Sequence, residues 1–455
     1  MAVGADSTSF FNTLFPKLLP GEAARVLHLH QQLQSFEQFD AERQESLLSA
    51  QLENLLVHAK RYSPYWKEQL GSWAPESSPL EQTLRSLPSL SRNDLKSRFG
   101  EIIARFPQKR KMRTAKSSTS GSTGTPVTIE HLMDIHNPLQ NATKLLTARW
   151  HNIDPQKPLG TLSSKVKDND RVPLGLPFRW YGPVAIGFSC SAKEREYGEL
   201  YEYCALKKPS YLLSGPGMFL GLAKYAIKNK RYDLRPEIAL SYASAVTEET
   251  REIVREGLGA KIVDRYSSEE AGTIAVQCPK HDHLHVLSPL VMVEIIDEHG
   301  VPCSVGQPGR VFITSLQSYG MPLIRYDIGD MAEWGEPCDC GIALPVIKKL
   351  WGRLRHMITH PDGRTTYAVL YTRDFEDLEN LEEYRFVLHQ NSVVVAQLKV
   401  KEPSENLARS VTETVQRALT YPYPVRIQYV DKIDWGLSWK KESFAVSDSP
   451  PPDVP

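Results

Sequence analysis

The sequence predicts an α/β protein: a large layered N-terminal domain followed by a small α+β C-terminal domain. Three observations predict it. From residue 209 short apolar runs alternate with helical patterns, a β-rich stretch follows, and past Arg353 the pattern changes to two strands, a helix and a strand. The chain has 455 residues, more than one core usually holds, so two or more domains are expected.

The elements follow in chain order. "AERQESLLSAQLENLLVHAK" (41–60) sets Leu47, Leu48, Leu52, Leu55 and Leu56 at helical spacing, and Pro64 breaks that pattern. Residues 76–98, rich in Ser, Pro and Leu, read as a connection. "SSTSGSTGTP" (117–126) is a loop of hydroxyls and glycines, and "PVTIEH" after it reads as a strand. "PSYLLSG" is a short strand, "GMFLGLAKYAIKNK" an amphipathic helix and "PEIALSYASA" a buried strand. "TEETREIVREGLG" is a helix with Thr247 as N-cap, Glu248 and Glu249 in its first turn and Gly257 near its end. "AKIVDRY" is another strand, and "VMVEIID", the turn "EHG" and "GRVFITSL" form the β-rich part. In the C-terminal part, "YRFVLHQNSVVVAQLKV" is two strands around Gln390-Asn391. "SENLARSVTETVQRALTY" is a helix with Leu407, Val411, Val415, Ala418 and Leu419 on one face, and "VRIQYVD" is a final strand. The tail "SDSPPPDVP" has nothing to bury and is expected to be disordered.

Composition narrows the function. Lys plus Arg and Asp plus Glu both total 54, which argues against holding nucleic acid by bulk charge. No apolar run approaches the ~20 residues of a membrane span, and the N-terminus lacks the pattern of a secretory signal. Six cysteines in so long a chain do not suggest a disulfide framework. A reducing, cytoplasmic location is the expectation.

The loop 117–126 is not a P-loop of the lysine-bearing kind, because Gly124 is followed by Thr125 and Pro126. Its glycines let backbone N–H groups approach a polyphosphate, and its hydroxyls add donors without fixed charge. A flexible Ser/Thr linker is the plainer reading of the loop taken alone. Downstream stand "DRYSSEEAG" (264–272), "RYDIGD" (325–330) and "GRLRHMI" (352–358). In this order the four motifs resemble the adenylate-forming superfamily of acyl-CoA synthetases and ligases. "LLVHAKRYSPYW", "YSSEEAG…C…LHV" and "CDCGIALPVIKKLWGR" are similar to the phenylacetate–CoA ligase branch, including its capsule-biosynthesis-type members. The resemblance runs from about residue 45 to 445.

What the resemblance implies can be stated residue by residue. The domains would be an N-terminal adenylation domain (1–352) binding ATP and acid, a C-terminal lid (353–447) and a tail (448–455). Ser120, Gly121, Ser122, Thr123 and Gly124 would hold the β- and γ-phosphates. Tyr266 would pack on adenine, and Glu270 would bind Mg²⁺, a hard ion that prefers oxygen ligands. Glu269 stands where relatives carry Thr or Ser, and an acidic helix start is the plainer reading of the glutamate pair. Asp330 would accept hydrogen bonds from both ribose hydroxyls, and Arg353 would contact ribose or phosphate at the hinge. "WGLSWKKESF" offers Lys440 and Lys441 for the lysine that reaches the carboxylate and α-phosphate; which of them does so stays open, as does a merely solvated pair. The cofactors implied are ATP, Mg²⁺ and coenzyme A.

A metal is a separate expectation. Cys278 and His281 have C-x-x-H spacing, His281, His283 and His285 alternate, and Cys338-Asp-Cys340 lies further on. Cys278, His285, Cys338 and Cys340 would form a closed structural zinc site, with His281 the competing fourth ligand; buried thiols beside a surface histidine cluster are the alternative.

Together these predict an AMP-forming ligase that activates a carboxylic acid. The acceptor would be coenzyme A, an amine (giving an amide) or a carrier-protein thiol. Residues 176–192 and 241–245 fall where relatives line the acyl pocket, and Trp180, Tyr181 and Phe188 suit an aryl acid or an ordinary aromatic core equally. A non-catalytic nucleotide-binding scaffold is the rival of another class.

Overall fold

A computed structural model of the chain describes residues 21–452 except 76–78, 119–126, 164–165, 174–184, 193–194, 243, 354–356, 368–374, 376–377, 379 and 434–443. It divides into two compact units, Met1–Leu350 and Trp351–Pro455. No helix among the described residues is long and apolar enough to cross a membrane.

The first unit opens with helices Glu22–Phe36 and Ala41–Tyr62. The second of these is capped by Asp40, whose carboxylate accepts from Arg43 N at 2.8 Å, and it buries Leu48, Leu52, Leu55, Leu56 and Ala59. Ser63 ends that helix and caps the next, with Pro64 at its first turn, where a missing N–H costs nothing. The stretch expected to be a plain connection instead holds two short helices, Leu80–Ser86 and Arg92–Ser97. The second is started by a capping box between Ser91 and Asp94, a local signal that outweighs the Ser/Pro composition.

Two larger sheets follow. One has six strands, in the order Asn169–Pro173, Ile186–Ser191, Leu159–Ser163, Tyr211–Ser214, Ile238–Ser241 and Lys261–Val263. All neighbours are parallel except the first pair. The helices Tyr197–Lys207, Pro216–Lys228 and Glu248–Leu258 supply Leu200, Phe219, Leu222 and Val254 to its core. Thr247 caps the last of them by accepting from Thr250 N. Open parallel sheets bind ligands beyond the carboxyl ends of their strands, and Ser241 lies at such an end.

The other sheet has seven strands, in the order Val291–Ile296, Pro308–Ser315, Tyr326–Trp334, Val346–Arg353, Leu284–Val286, Gly272–Gln277 and Arg265–Ser268. Asp264 alone separates the last strand of the parallel sheet from the edge strand of this one. It is pinned there: its N–H donates to Gln277 Oε1 at 2.8 Å, and its carboxylate accepts from Arg265 N at 2.8 Å. Burial lifts this carboxyl to about 6.

The second unit has a four-stranded sheet in the order Val425–Tyr429, Val393–Val400, Leu381–His389 and Phe444–Ser447. The helix Glu405–Leu419 adds Leu407, Val411, Val415 and Leu419 to its core, and Gln390 and Asn391 turn the hairpin with positive φ. The strand at 425–429 is not the last: Phe444–Ser447 pairs parallel to Leu381–His389. That pairing also carries the start of the tail, since Asp448 O accepts from Gln390 Nε2 at 3.3 Å and Ser449 O bonds His389 Nδ1 at 3.0 Å. Residues 448 and 449 are therefore held, contrary to the expectation for the tail.

Candidate active site

The hydroxyl loop is the connection of a hairpin. Strands Thr114–Ser118 and Thr128–Leu132 pair antiparallel with Ser118 opposite Thr128, their hydroxyls 3.4 Å apart. Ser120, Gly121, Ser122, Thr123 and Gly124 themselves lie outside the described residues, as do Lys440 and Lys441. Arg353 closes the strand Val346–Arg353, and only its backbone is described.

The other two motifs meet directly. Each places a tyrosine four residues before an acid, Tyr266 before Glu270 and Tyr326 before Asp330. Each tyrosine bonds the acid of the other motif. Tyr266 donates its phenol proton to Asp330 Oδ2 at 2.7 Å, and Tyr326 donates to Glu270 Oε1 at 3.2 Å. All four side chains are buried. Buried carboxylates need such donors, because an unpaired one is costly. Tyr326 lies within a motif singled out in the sequence, yet only Asp330 was assigned a role there.

Glu270 opens onto a cleft between the hairpin strand, the helix Met133–Trp150 and the turn at 315–321. His131 and His136 face it with ring centroids 4.3 Å apart. His131 Nε2 lies 2.9 Å from Glu269 O and 3.2 Å from Ser117 Oγ. A carbonyl only accepts, so Nε2 carries the proton. Burial holds His136 down to about 4 and also lowers His131, so both rings are neutral at pH 7. Gln140 is committed to the wall, its Oε1 accepting from Thr273 Oγ1 at 3.0 Å and Thr273 N at 3.3 Å. Gly272 has φ +75° beside it, and a Cβ there would stand 2.1 Å from Gln140 Nε2, so only glycine fits. His131, His136 and Gln140 carry no sequence signal, because they sit across a strand-to-helix boundary where neither periodicity applies.

Of the aromatic residues expected at an acyl pocket, Phe188 alone is described. Phe188 is buried in the core of the parallel sheet, edge-on to Tyr203 at 5.3 Å. Trp180 and Tyr181 lie outside the described residues, and none of the described residues in 176–192 or 241–245 lines the cleft.

The cysteine–histidine cluster converges. Cys278 Sγ and Cys338 Sγ are 3.8 Å apart, and His285 Nε2 is 3.2 Å from Cys340 Sγ. Two thiolates on a tetrahedral zinc with Zn–S of about 2.3 Å stand about 3.8 Å apart. His285 Nδ1 lies 3.2 Å from Leu344 O, an acceptor only, so the proton sits on Nδ1 and Nε2 keeps its lone pair. The N–H groups of Lys280 and Cys340 reach Cys278 Sγ and Cys338 Sγ, both at 3.4 Å, as suits thiolate acceptors. Burial pushes the Cys340 thiol up to about 12, so the thiolate form is reached only beside a cation. The donor set fits zinc. His283 joins it: Cys278, His283, His285 and Cys338 offer ligand atoms within 4.8 Å of one another. His281 instead bonds Asp339 at 2.6 Å. The three histidines do not share one strand face, because 278–283 is a turn closed by Cys278 N on His283 O at 2.8 Å and the strand begins at Leu284.

Comparison with known proteins places these features in context. No family model matches the chain. A phenylacetate-coenzyme A ligase of Thermus thermophilus is 31% identical over 131 residues, 28% of this chain and 29% of that ligase. The chain thus aligns with less than a third of that relative's length. Among solved structures, a 2-hydroxyisobutyryl-CoA ligase in the postadenylation state, in complex with R3-HIB-AMP, has a TM-score of 0.69 and 16% identity, covering 91% of each chain. An anthranilate CoA ligase in complex with anthranoyl-AMP has a TM-score of 0.51 and 15% identity, covering 70% of this chain and 64% of that one. The chain has the fold of the AMP-forming ligases, a large α/β domain with a smaller C-terminal one, and its sequence resembles their phenylacetate–CoA ligase branch.

Proposed function

We propose that this chain is an AMP-forming ligase that activates a carboxylic acid with ATP and passes the acyl group to the thiol of coenzyme A. The observation that carries the reading is the crossed pairing of Tyr266 with Asp330 and of Tyr326 with Glu270, which ties the buried acids of two separate motifs together. The fold supports it, and so does the partial similarity to a phenylacetate-coenzyme A ligase.

The chemistry asks two anions to meet. A carboxylate oxygen attacks the α-phosphorus, and pyrophosphate leaves. The thiol sulfur then attacks the acyl carbon, its proton passes to a base, and AMP leaves. Ser120, Gly121, Ser122, Thr123 and Gly124 would hold the β- and γ-phosphates with backbone N–H groups and hydroxyls. Glu270 would hold Mg²⁺, which screens phosphate charge. Asp330 would orient the ribose, with Tyr266 placing the adenine next to it. Arg353 would contact ribose or phosphate, and Lys440 or Lys441 would reach the carboxylate and α-phosphate. Residues 353–447 act as the lid, with 1–352 binding both substrates. Cys278, Cys338, Cys340 and His285 would hold a structural zinc that does no chemistry, with His283 rather than His281 as the remaining donor nearby.

ATP–pyrophosphate exchange across a panel of carboxylic acids tests the first half-reaction. Exchange with at least one acid is expected, followed by AMP release that requires coenzyme A. AMP release driven only by an amine or a carrier protein would reassign the acceptor. Silence with every acid, alongside retained ATP binding, would turn the chain into a nucleotide-binding scaffold.

A further inference from the structure

We infer that this chain binds a second, exchangeable transition-metal ion at its surface, held by His281, Asp339 and the thiolate of Cys338, which that ion shares with the structural zinc. The inference rests on the zinc reading of the cysteine–histidine cluster and goes beyond it by adding a site that opens to solvent.

A count of donors leads there. A tetrahedral zinc takes four ligands, and Cys278, Cys338, Cys340 and His285 supply them. Two turns bring further donors to the same place. The turn 278–283 sets His281 at the surface, and Asp339 stands between two of the cysteines. The ligand atoms of His281, Cys338 and Asp339 lie within 4.8 Å of one another. His281 Nε2 is 2.6 Å from Asp339 Oδ1, and Cys338 Sγ is 4.0 Å from that oxygen. Around one tetrahedral ion such nitrogen–oxygen and sulfur–oxygen pairs stand about 3.3 and 3.6 Å apart. A small shift of Asp339 away from the nitrogen and toward the sulfur therefore completes the site. Its side chain is 79% exposed and that of His281 44%, so nothing packed against them resists it. In the hydrogen-bonded pair Nε2 carries the proton, since a carboxylate only accepts. On binding, the proton moves to Nδ1 and Nε2 turns its lone pair to the ion.

Donor types and charge choose the ion. A thiolate, an imidazole and a carboxylate suit zinc, cobalt or nickel, whereas Mg²⁺ and Ca²⁺ ask for oxygen alone. One zinc leaves the three thiolates with a negative charge over, and Asp339 adds another. Lys280, whose Nζ donates to Asp339 O at 3.3 Å, offsets only one of these. The cluster thus still attracts a cation. A sulfur that has bound one ion keeps lone pairs for another, which lets Cys338 bridge the two. Cys278 and His285 are fully buried, whereas His281 and Asp339 are not, so the outer ion exchanges with solvent while the inner one stays.

The test titrates the full chain, purified with its one zinc, with further zinc under reducing conditions. One more ion per chain should bind, and calcium or magnesium should not displace it. Co²⁺ added in place of that further zinc should show a sulfur-to-cobalt charge-transfer band, the mark of contact with Cys338. His281→Ala and Asp339→Asn should each lose the added ion yet keep the first one and the wild-type Tm; His281→Gln serves should the alanine variant fail to fold. A chain that takes up no second ion, or one that both variants retain, overturns the inference and leaves the structural zinc standing. A second ion bound without a charge-transfer band defeats it equally, because Cys338 is then not shared. A chain that binds no zinc at all removes the zinc reading, and the inference with it.

Discussion

Tyr266 and Asp330 are joined by a 2.7 Å hydrogen bond, although their strands stand four places apart in the seven-stranded sheet. At about 4.8 Å per strand, a flat sheet would separate them by roughly 19 Å. The sheet therefore curls until its edge strand faces Tyr326–Trp334. The reciprocal bond from Tyr326 to Glu270 closes the same gap from the other side.

Removing the phenol of Tyr326 tests whether Glu270 is positioned by it. Tyr326→Phe is expected to lower kcat/KM about tenfold and to raise the Mg²⁺ concentration needed for half-maximal exchange. An unchanged Mg²⁺ dependence would show that Glu270 does not serve the metal.

Arg325 precedes that tyrosine with φ +43° and serves stability instead. Its Nε lies 3.0 Å from Glu294 Oε2, and its Nη1 donates to Leu87 O at 2.8 Å. Burial already raises the Glu294 carboxyl, so the guanidinium offsets a costly group. Arg325→Ala should destabilise the fold by about 3 kcal/mol in denaturant titration, and adding Glu294→Leu should recover much of that. A double variant no better than the single one defeats this account.

Much of this architecture was legible because it rests on local signals. The cap at Thr247, the leucine spacing of 41–62 and the turn at Gln390-Asn391 are each decided by neighbours in sequence. The pairing of tyrosines with acids was not legible, because it depends on how far a sheet curls, which no short pattern encodes. The strand Phe444–Ser447 escaped for a related reason: four residues pairing in parallel with a distant strand leave little periodicity. His283 has no such signal: the C-x-x-H spacing points to His281, and the turn that brings His283 to the cluster is closed by Cys278 N on His283 O.

The cysteine cluster yields a direct measurement. Purified protein should contain one zinc per chain by elemental analysis, and Cys340→Ser should lose it, whereas Cys303→Ser, altered outside the cluster, should keep it. Chelation of the wild-type protein should lower its Tm by several degrees, with metal readdition restoring it. Metal-free protein of unchanged Tm would exclude a structural ion.

Acid should unfold the chain early. His30 and His151 are buried and held down to about 4, against an ordinary 6.5, chiefly by burial. Between pH 6.5 and 4 the unfolded chain binds protons that the folded chain refuses, so stability falls as pH drops through that window. The loss approaches about 3 kcal/mol per histidine once complete. Urea midpoints should decline from pH 6.5 downward. His151→Gln, which retains an amide to bond Gln277 O, should make the decline shallower. A pH-independent midpoint over that range contradicts the assignment.

The facing of Ser118 and Thr128 has a consequence for how such a chain diversifies. Because the two strands are already in register at that rung, the segment they bracket starts and finishes at neighbouring points. Residues added to or removed from it need not shift the strands below. Evolution is thus free to lengthen or shorten that segment, tuning the reach of its glycines and hydroxyls without rebuilding the scaffold that presents them.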